Sequence, residues 1–146
     1  MSKKVNHFLT PDQEKEVIEA IQLAELQTSG EIRVHLEKSS KGDAMKRATE
    51  VFKKLKMDQT ALRNAVLIYL AVEEKTFTIY GDKGIHELVG LDFWNSTKDI
   101  MQTYFMKGAF KEGLIAGIQK SGEELKTYFP YSDTDTNELS NEISNG

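Results

Sequence analysis

The amino-acid sequence predicts a soluble α/β domain, and three features carry that prediction. Residues 31–37 alternate polar and apolar side chains. Residues 65–72 form a nearly unbroken apolar run. Apolar residues recur at helical spacing before, between and after these two stretches. With 146 residues, the chain is long enough for one substantial core.

In order along the chain, Thr10-Pro11-Asp12-Gln13 predicts a helix start. The threonine hydroxyl can cap, proline fits the first helical position, and Gln13 can reach back to close a capping box. Val17, Ile18, Ile21 and Ala24 give this helix its apolar face, and Thr28-Ser29-Gly30 ends it. Glu31-Ile32-Arg33-Val34-His35-Leu36-Glu37 is a half-buried strand. Asp43 caps a second helix with Ala44, Ala48, Val51, Phe52 and Leu55 on one face. Ala65 to Val72 suits a central strand covered on both sides, and Thr76 to Tyr80 returns from it as a hairpin. A short helical element covers Ile85 to Val89. Two longer ones follow, the first carrying Trp94, Met101, Tyr104 and Phe105, the second Phe110, Leu114, Ile118 and Leu125. Residues 1–130 read as a single domain, and residues 131–146 as an acidic, flexible tail.

Charge and composition exclude several function classes. The formal net charge is −4 with both signs interleaved, which argues against nucleic-acid binding. The absence of cysteine excludes disulfides, thiolate zinc sites and a cysteine nucleophile. The amino terminus lacks a signal-peptide core, and the apolar run at 65–72 is too short to span a bilayer. A cytoplasmic monomer without membrane insertion is expected.

Topology makes a sharper prediction. A strand–helix–strand unit in one sheet is parallel, so the starts of its two strands share an end. The hairpin returns the third strand to that same end. Glu31, Arg63, Asn64 and Asp82 are thereby gathered, and Glu87 and Asp92 follow within a loop holding Gly81, Gly84 and Gly90. Hard cations such as calcium take oxygens from carboxylates, carbonyls and water, and this loop has all three to offer. The same residues have plainer uses. Asp82 or Asp92 can cap a helix, Glu31 can pair with Arg63, and Glu87 can be a surface charge.

TSGEIRV at 28–34, RNAVLIYL at 63–70, YGDKGIHE at 80–87 and GLDFW at 90–94 resemble the TPM domain, in the right order and over nearly the whole chain. The resemblance implies a three-layer αβα sandwich around a small mixed sheet of about four strands. Three strands are readable here, and a fourth is expected before Thr10 or within residues 58–63. The resemblance also implies divalent cations, chiefly calcium with magnesium as the substitute, one or two ions near the crossing loops. It places ligands at Glu31, Glu87 and Asp92. Asp82 completes the candidate set, although Gly81 and Gly84 are spaced more widely than the family's glycine–x–glycine. Family members are linked to photosystem repair, to an accessory role at a membrane receptor and, in plants, to phosphatase activity.

Two functions from different classes follow. The first is a cation-modulated interaction or regulatory module with a protein partner. The alternative is a metal-dependent phosphatase acting on phosphomonoesters, with Arg63 stabilising phosphoryl charge. Nucleophiles are scarce. There is no G-x-S-x-G, and Asp133-Thr134-Asp135-Thr136, which mimics a phosphoryl-aspartate motif, has no strand before it. Of His7, His35 and His86, only His86 lies near the acidic loop, and His35 reads as a packed or surface residue of the first strand.

Overall fold

The computed structural model describes residues 8–90, 92–131 and 138–146. His7 and the Asp133–Thr136 string fall outside them. Helix α1 (Pro11–Glu25) leads into strand β1 (Glu31–Glu37), then helix α2 (Ala44–Lys54) and a single 3-10 turn (Met57–Gln59). Strands β2 (Ala65–Ala71) and β3 (Thr76–Gly81) follow, then helices α3 (Lys83–Val89), α4 (Asn95–Met106) and α5 (Phe110–Tyr128), and finally strand β4 (Ser144–Asn145).

Local chemistry sets the helix starts. Thr10 Oγ1 accepts the Gln13 N–H at 3.1 Å while Gln13 Oε1 accepts the Thr10 N–H at 2.9 Å, a closed capping box. Asp43 accepts the N–H groups of Met45 and Lys46 at the start of α2. Asp82 does the same for Lys83 at the start of α3.

The sheet has the order β3-β2-β1-β4. β1 runs parallel to β2 over its full length, from Glu31 opposite Ala65 to Glu37 opposite Ala71. β3 returns antiparallel to β2. Ile32, Val34 and Leu36 of β1 join Val66, Ile68 and Leu70 of β2 in a core covered by α1, α4 and α5. The opposite face of β2, with Ala65, Leu67, Tyr69 and Ala71, packs on Ala48, Val51 and Phe52 of α2. Helices on both faces of a four-stranded mixed sheet make the three-layer sandwich.

Among the described residues, the fourth strand is not where the sequence placed it; residues 1–7 of the segment before Thr10 lie outside them. Residues 58–63 hold part of the 3-10 turn and a bend, and residues 8–10 hold no strand. It comes instead from the polar tail, where Ser144 and Asn145 lie parallel to β1 opposite His35 and Leu36. Leu139 packs against the α2-side core and Ile143 against the larger one. No helix among the described residues is long and apolar enough to cross a membrane.

Candidate functional site

The predicted convergence at the start of β1 and β2 is present, with a different pairing. Asp82 N–H donates to Ala65 O at 2.9 Å, and Glu31 N–H donates to Asn64 O on the other side of β2. Glu31 and Asp82 therefore flank β2 at one rim. Both are buried. Asp82 receives Nε and Nη2 of Arg63 at 2.7 and 2.9 Å, a bidentate pair. Arg63 neutralises Asp82, not Glu31.

Backbone shape enforces this pair. Arg63 sits in the left-handed region at φ 50°, and its carbonyl accepts the Gly84 N–H at 2.8 Å. A Cβ on Gly84 would stand 2.4 Å from Leu62 O and 2.5 Å from Arg63 O. Only glycine lets α3 approach the Arg63 turn so closely. The Thr28-Ser29-Gly30 motif is also structural. Thr28 Oγ1 donates to Phe129 O and accepts the Gly30 N–H, and Ser29 N–H donates to the same Phe129 carbonyl at 2.8 Å. The end of α5 is thereby tied to the start of β1.

Glu31 Oε1 accepts the Leu139 N–H at 2.8 Å, so the tail segment reaches this rim. Beside it, Glu25 Oε2 accepts the Ile32 N–H at 2.9 Å. Burial pushes the Glu25 carboxyl up to about 8; the Ile32 N–H opposes this and the neighbouring Glu31 charge adds to it. Glu87 on α3 and Asp92 in the α3–α4 turn are exposed. Asp92 takes a plain structural role, its carbonyl accepting the Asn95 N–H at 3.1 Å. Among the described residues, no three acidic or histidine side chains stand close enough together to hold a metal ion. Topology thus unites Glu31 and Asp82, but does not draw Glu87 and Asp92 into one ligand set with them.

The other end of β1 holds a cluster that sequence reasoning missed. Glu37 is 3% exposed, yet it binds Arg47 Nε and Nη2 at 2.8 and 3.1 Å, His35 Nε2 at 3.1 Å and the Tyr69 hydroxyl. The His35 ring stacks on Tyr69, its register partner on β2. His35 Nδ1 lies 2.9 Å from Ser144 Oγ. Burial alone would raise the Glu37 carboxyl, but hydrogen bonds from Arg47, Tyr69 and His35 outweigh it and hold the group down at about 2. Burial also lowers His35, against the Glu37 bond that raises it. The available signal was a histidine and a glutamate two apart on a face opposite the only tyrosine of an otherwise aliphatic strand.

Comparison with known proteins sets this geometry in context. A family model for the TPM domain matches residues 3–124. The chain resembles the solution structure of the BA42 protein from the psychrophilic bacterium Bizionia argentinensis, with 55% identity and a TM-score of 0.92 over 98% of this chain and 99% of that one. An N-terminal domain from P. gingivalis shares the fold at 15% identity, with a TM-score of 0.69 over 86% of this chain and 82% of that one. The N-terminal domain of cg2496 from Corynebacterium glutamicum does so at 12% identity, with a TM-score of 0.67 over 91% of this chain and 82% of that one. No curated protein matches the chain. Motif order, three-layer architecture and the matched span agree, and the chain belongs to the TPM-domain family.

Proposed function

We propose that this chain is a divalent-cation-responsive interaction module, taking calcium, or magnesium in its place, at the rim where β1 and β2 begin. The observation that carries the reading is the gathering of carboxylates at that rim, where buried Glu31 and Asp82 flank β2 and Glu25 holds the Ile32 N–H beside Glu31. Glu25 is held protonated up to about 8 by burial and by the Glu31 charge, and a bound cation would offset both.

Relative costs choose among the candidate ligands. Glu87 and Asp92 are exposed and stand apart from Glu31, so an ion must draw them to the rim as well as order their side chains. Taking Glu31 into a ligand set gives up the Leu139 N–H among its contacts, a bond of about 1 kcal/mol. Freeing Asp82 breaks two charge-assisted hydrogen bonds between a buried carboxylate and a half-exposed guanidinium, a larger loss than one neutral bond. The proposed set is therefore Glu31, Glu87 and Asp92, completed by backbone carbonyls and water. Asp82 serves instead by fixing Arg63 and the start of α3. The phosphomonoesterase reading would need Arg63 for phosphoryl oxygens, and its Nε and Nη2 are spent on Asp82.

Thermal unfolding with and without calcium tests the proposal. Millimolar calcium raises the melting temperature of the unaltered chain by mass action on the folded state. Glu87→Ala and Asp92→Ala each remove most of that rise. An unchanged melting temperature in the unaltered chain, or a full rise in both variants, would overturn the ligand assignment.

A further inference from the structure

The outer edge of β1 is occupied by a segment held in a sequence-specific way. β2 pairs with all of β1, from Glu31 to Glu37, whereas β4 pairs only with His35 and Leu36. Nearer the start of β1, the contacts among the described residues are made by side chains. Glu25 takes the Ile32 N–H, and Arg33 Nε reaches Glu142 O at 3.4 Å. The segment's grip is specific at four places. Leu139, half-buried, packs against the α2-side core and Ile143, also half-buried, against the opposite core. Ser144 meets His35 Nδ1, and the Gly146 N–H donates to Leu36 O at 2.9 Å. A Cβ on Gly146 would stand 2.5 Å from Glu37 Oε1 and 2.7 Å from His35 Nε2, both locked in the buried cluster.

We propose that the outer edge of β1 is a peptide-docking groove that takes an extended segment of a partner protein as a parallel strand, the chain's own 138–146 segment being its resident occupant. The groove defines the partner's chemistry: an aliphatic residue followed at once by serine, then any residue, then glycine. A second aliphatic residue stands four places before the first. Main-chain hydrogen bonds supply affinity and alternate side chains supply selectivity, as in strand addition to a sheet edge. A partner strand that pairs beyond His35 and Leu36 toward Glu31 gains ladder bonds that the resident does not make. It displaces the Glu25 carboxyl from Ile32 to do so. The His35–Glu37–Arg47–Tyr69 cluster is the fixed floor that reads the serine and excludes a side chain at the glycine.

The experiment uses the full chain carrying Leu139→Asp and Ile143→Asp together, which lifts the resident segment. The probe is a fluorescent peptide with the sequence of residues 138–146, followed by anisotropy. The variant binds the peptide saturably and at least roughly tenfold more tightly than the unaltered chain, whose tethered segment competes at an effective concentration on the order of millimolar. A peptide with valine in place of the last glycine, or aspartate in place of the isoleucine, loses at least that factor. Should the double variant not keep a dispersed amide spectrum, Ser144→Ala with Gly146→Val lifts only the end of the segment and is read in the same way. Absence of saturable binding by a folded variant, or equal binding of the substituted peptides, overturns the groove. A dimer of the unaltered chain that the double variant abolishes would assign the groove to a second copy and overturn a separate partner.

Discussion

Each end of β1 has a carboxylate withdrawn from water, Glu37 buried and Glu25 half-buried, and the two are treated in opposite ways. At the far end Glu37 meets an arginine, a tyrosine and a histidine, and is held ionised down to about 2. At the near end Glu25 has one backbone N–H and a like-charged neighbour, Glu31, and stays protonated up to about 8. Burial pushes both upward, and the less exposed of the two, Glu37, is the one held low. The number of donors aimed at the carboxylate decides. A saturated cluster stiffens the fold, whereas an under-compensated one leaves room for a cation. The far end is accordingly read as framework and docking floor, and the near end as the responsive site.

The contrast can be broken most forcefully at Glu37. Glu37→Ala leaves Arg47 and Tyr69 without their buried partner and costs about 3–5 kcal/mol in urea unfolding. A loss below about 1 kcal/mol would show that the cluster is not framework. Because the folded-state value lies below the ordinary 4.5, this group's contribution is fully present above pH 4.5 and is lost as pH falls toward 2. Acid unfolding of the unaltered chain is therefore steep in that window, and the variant flattens it.

Gly84→Ala comes next. Its methyl group meets two backbone carbonyls, so α3 must move from the Arg63 turn, at about 1–3 kcal/mol. A cost below about 0.5 kcal/mol would show that α3 is free to move away from that turn.

At the near end the sign reverses. The folded-state value of Glu25 lies above 4.5, so the folded protein holds the extra proton. Its contribution is fully present below pH 4.5 and is lost as pH rises through about 8. Glu25→Gln removes this slope and stabilises the chain above pH 8 by roughly 2 kcal/mol, a figure discounted for partial exposure. Calcium should flatten the same slope in the unaltered chain. A variant with unchanged pH dependence would remove the electrostatic argument for the rim.

The smallest effect is expected at Leu139. Leu139→Pro deletes the N–H that Glu31 accepts and strengthens the calcium response a few-fold, about 1 kcal/mol. Leu139→Ala keeps that N–H and controls for lost packing. Equal responses in the two variants would show that the tail does not compete with the ion.

These regions were not equally legible in the sequence. β1, β2 and β3 follow from alternation and apolar runs, because a half-buried or fully buried strand needs those patterns. The convergence of Glu31, Arg63 and Asp82 followed from topology alone. Which carboxylate Arg63 would take did not, since that depends on its left-handed backbone and on the approach of α3. β4 is two polar residues long and has no pattern of its own; it is a strand only because β1 offers an edge. The Glu37 cluster was hidden for a related reason. Alternating charges imply solvent on that face, but Arg47 and Tyr69 wait there, and Ser144 arrives from 109 positions away.

The central claim is that the near end of β1 answers to calcium and the far end does not. A calcium titration followed amide by amide in solution tests it most directly. Saturable shifts at Glu31, Glu87, Asp92 and Leu139, with His35 and Glu37 unmoved, are the predicted result. A spectrum that stays unchanged at millimolar calcium, or one that moves first at His35 and Glu37, would contradict it.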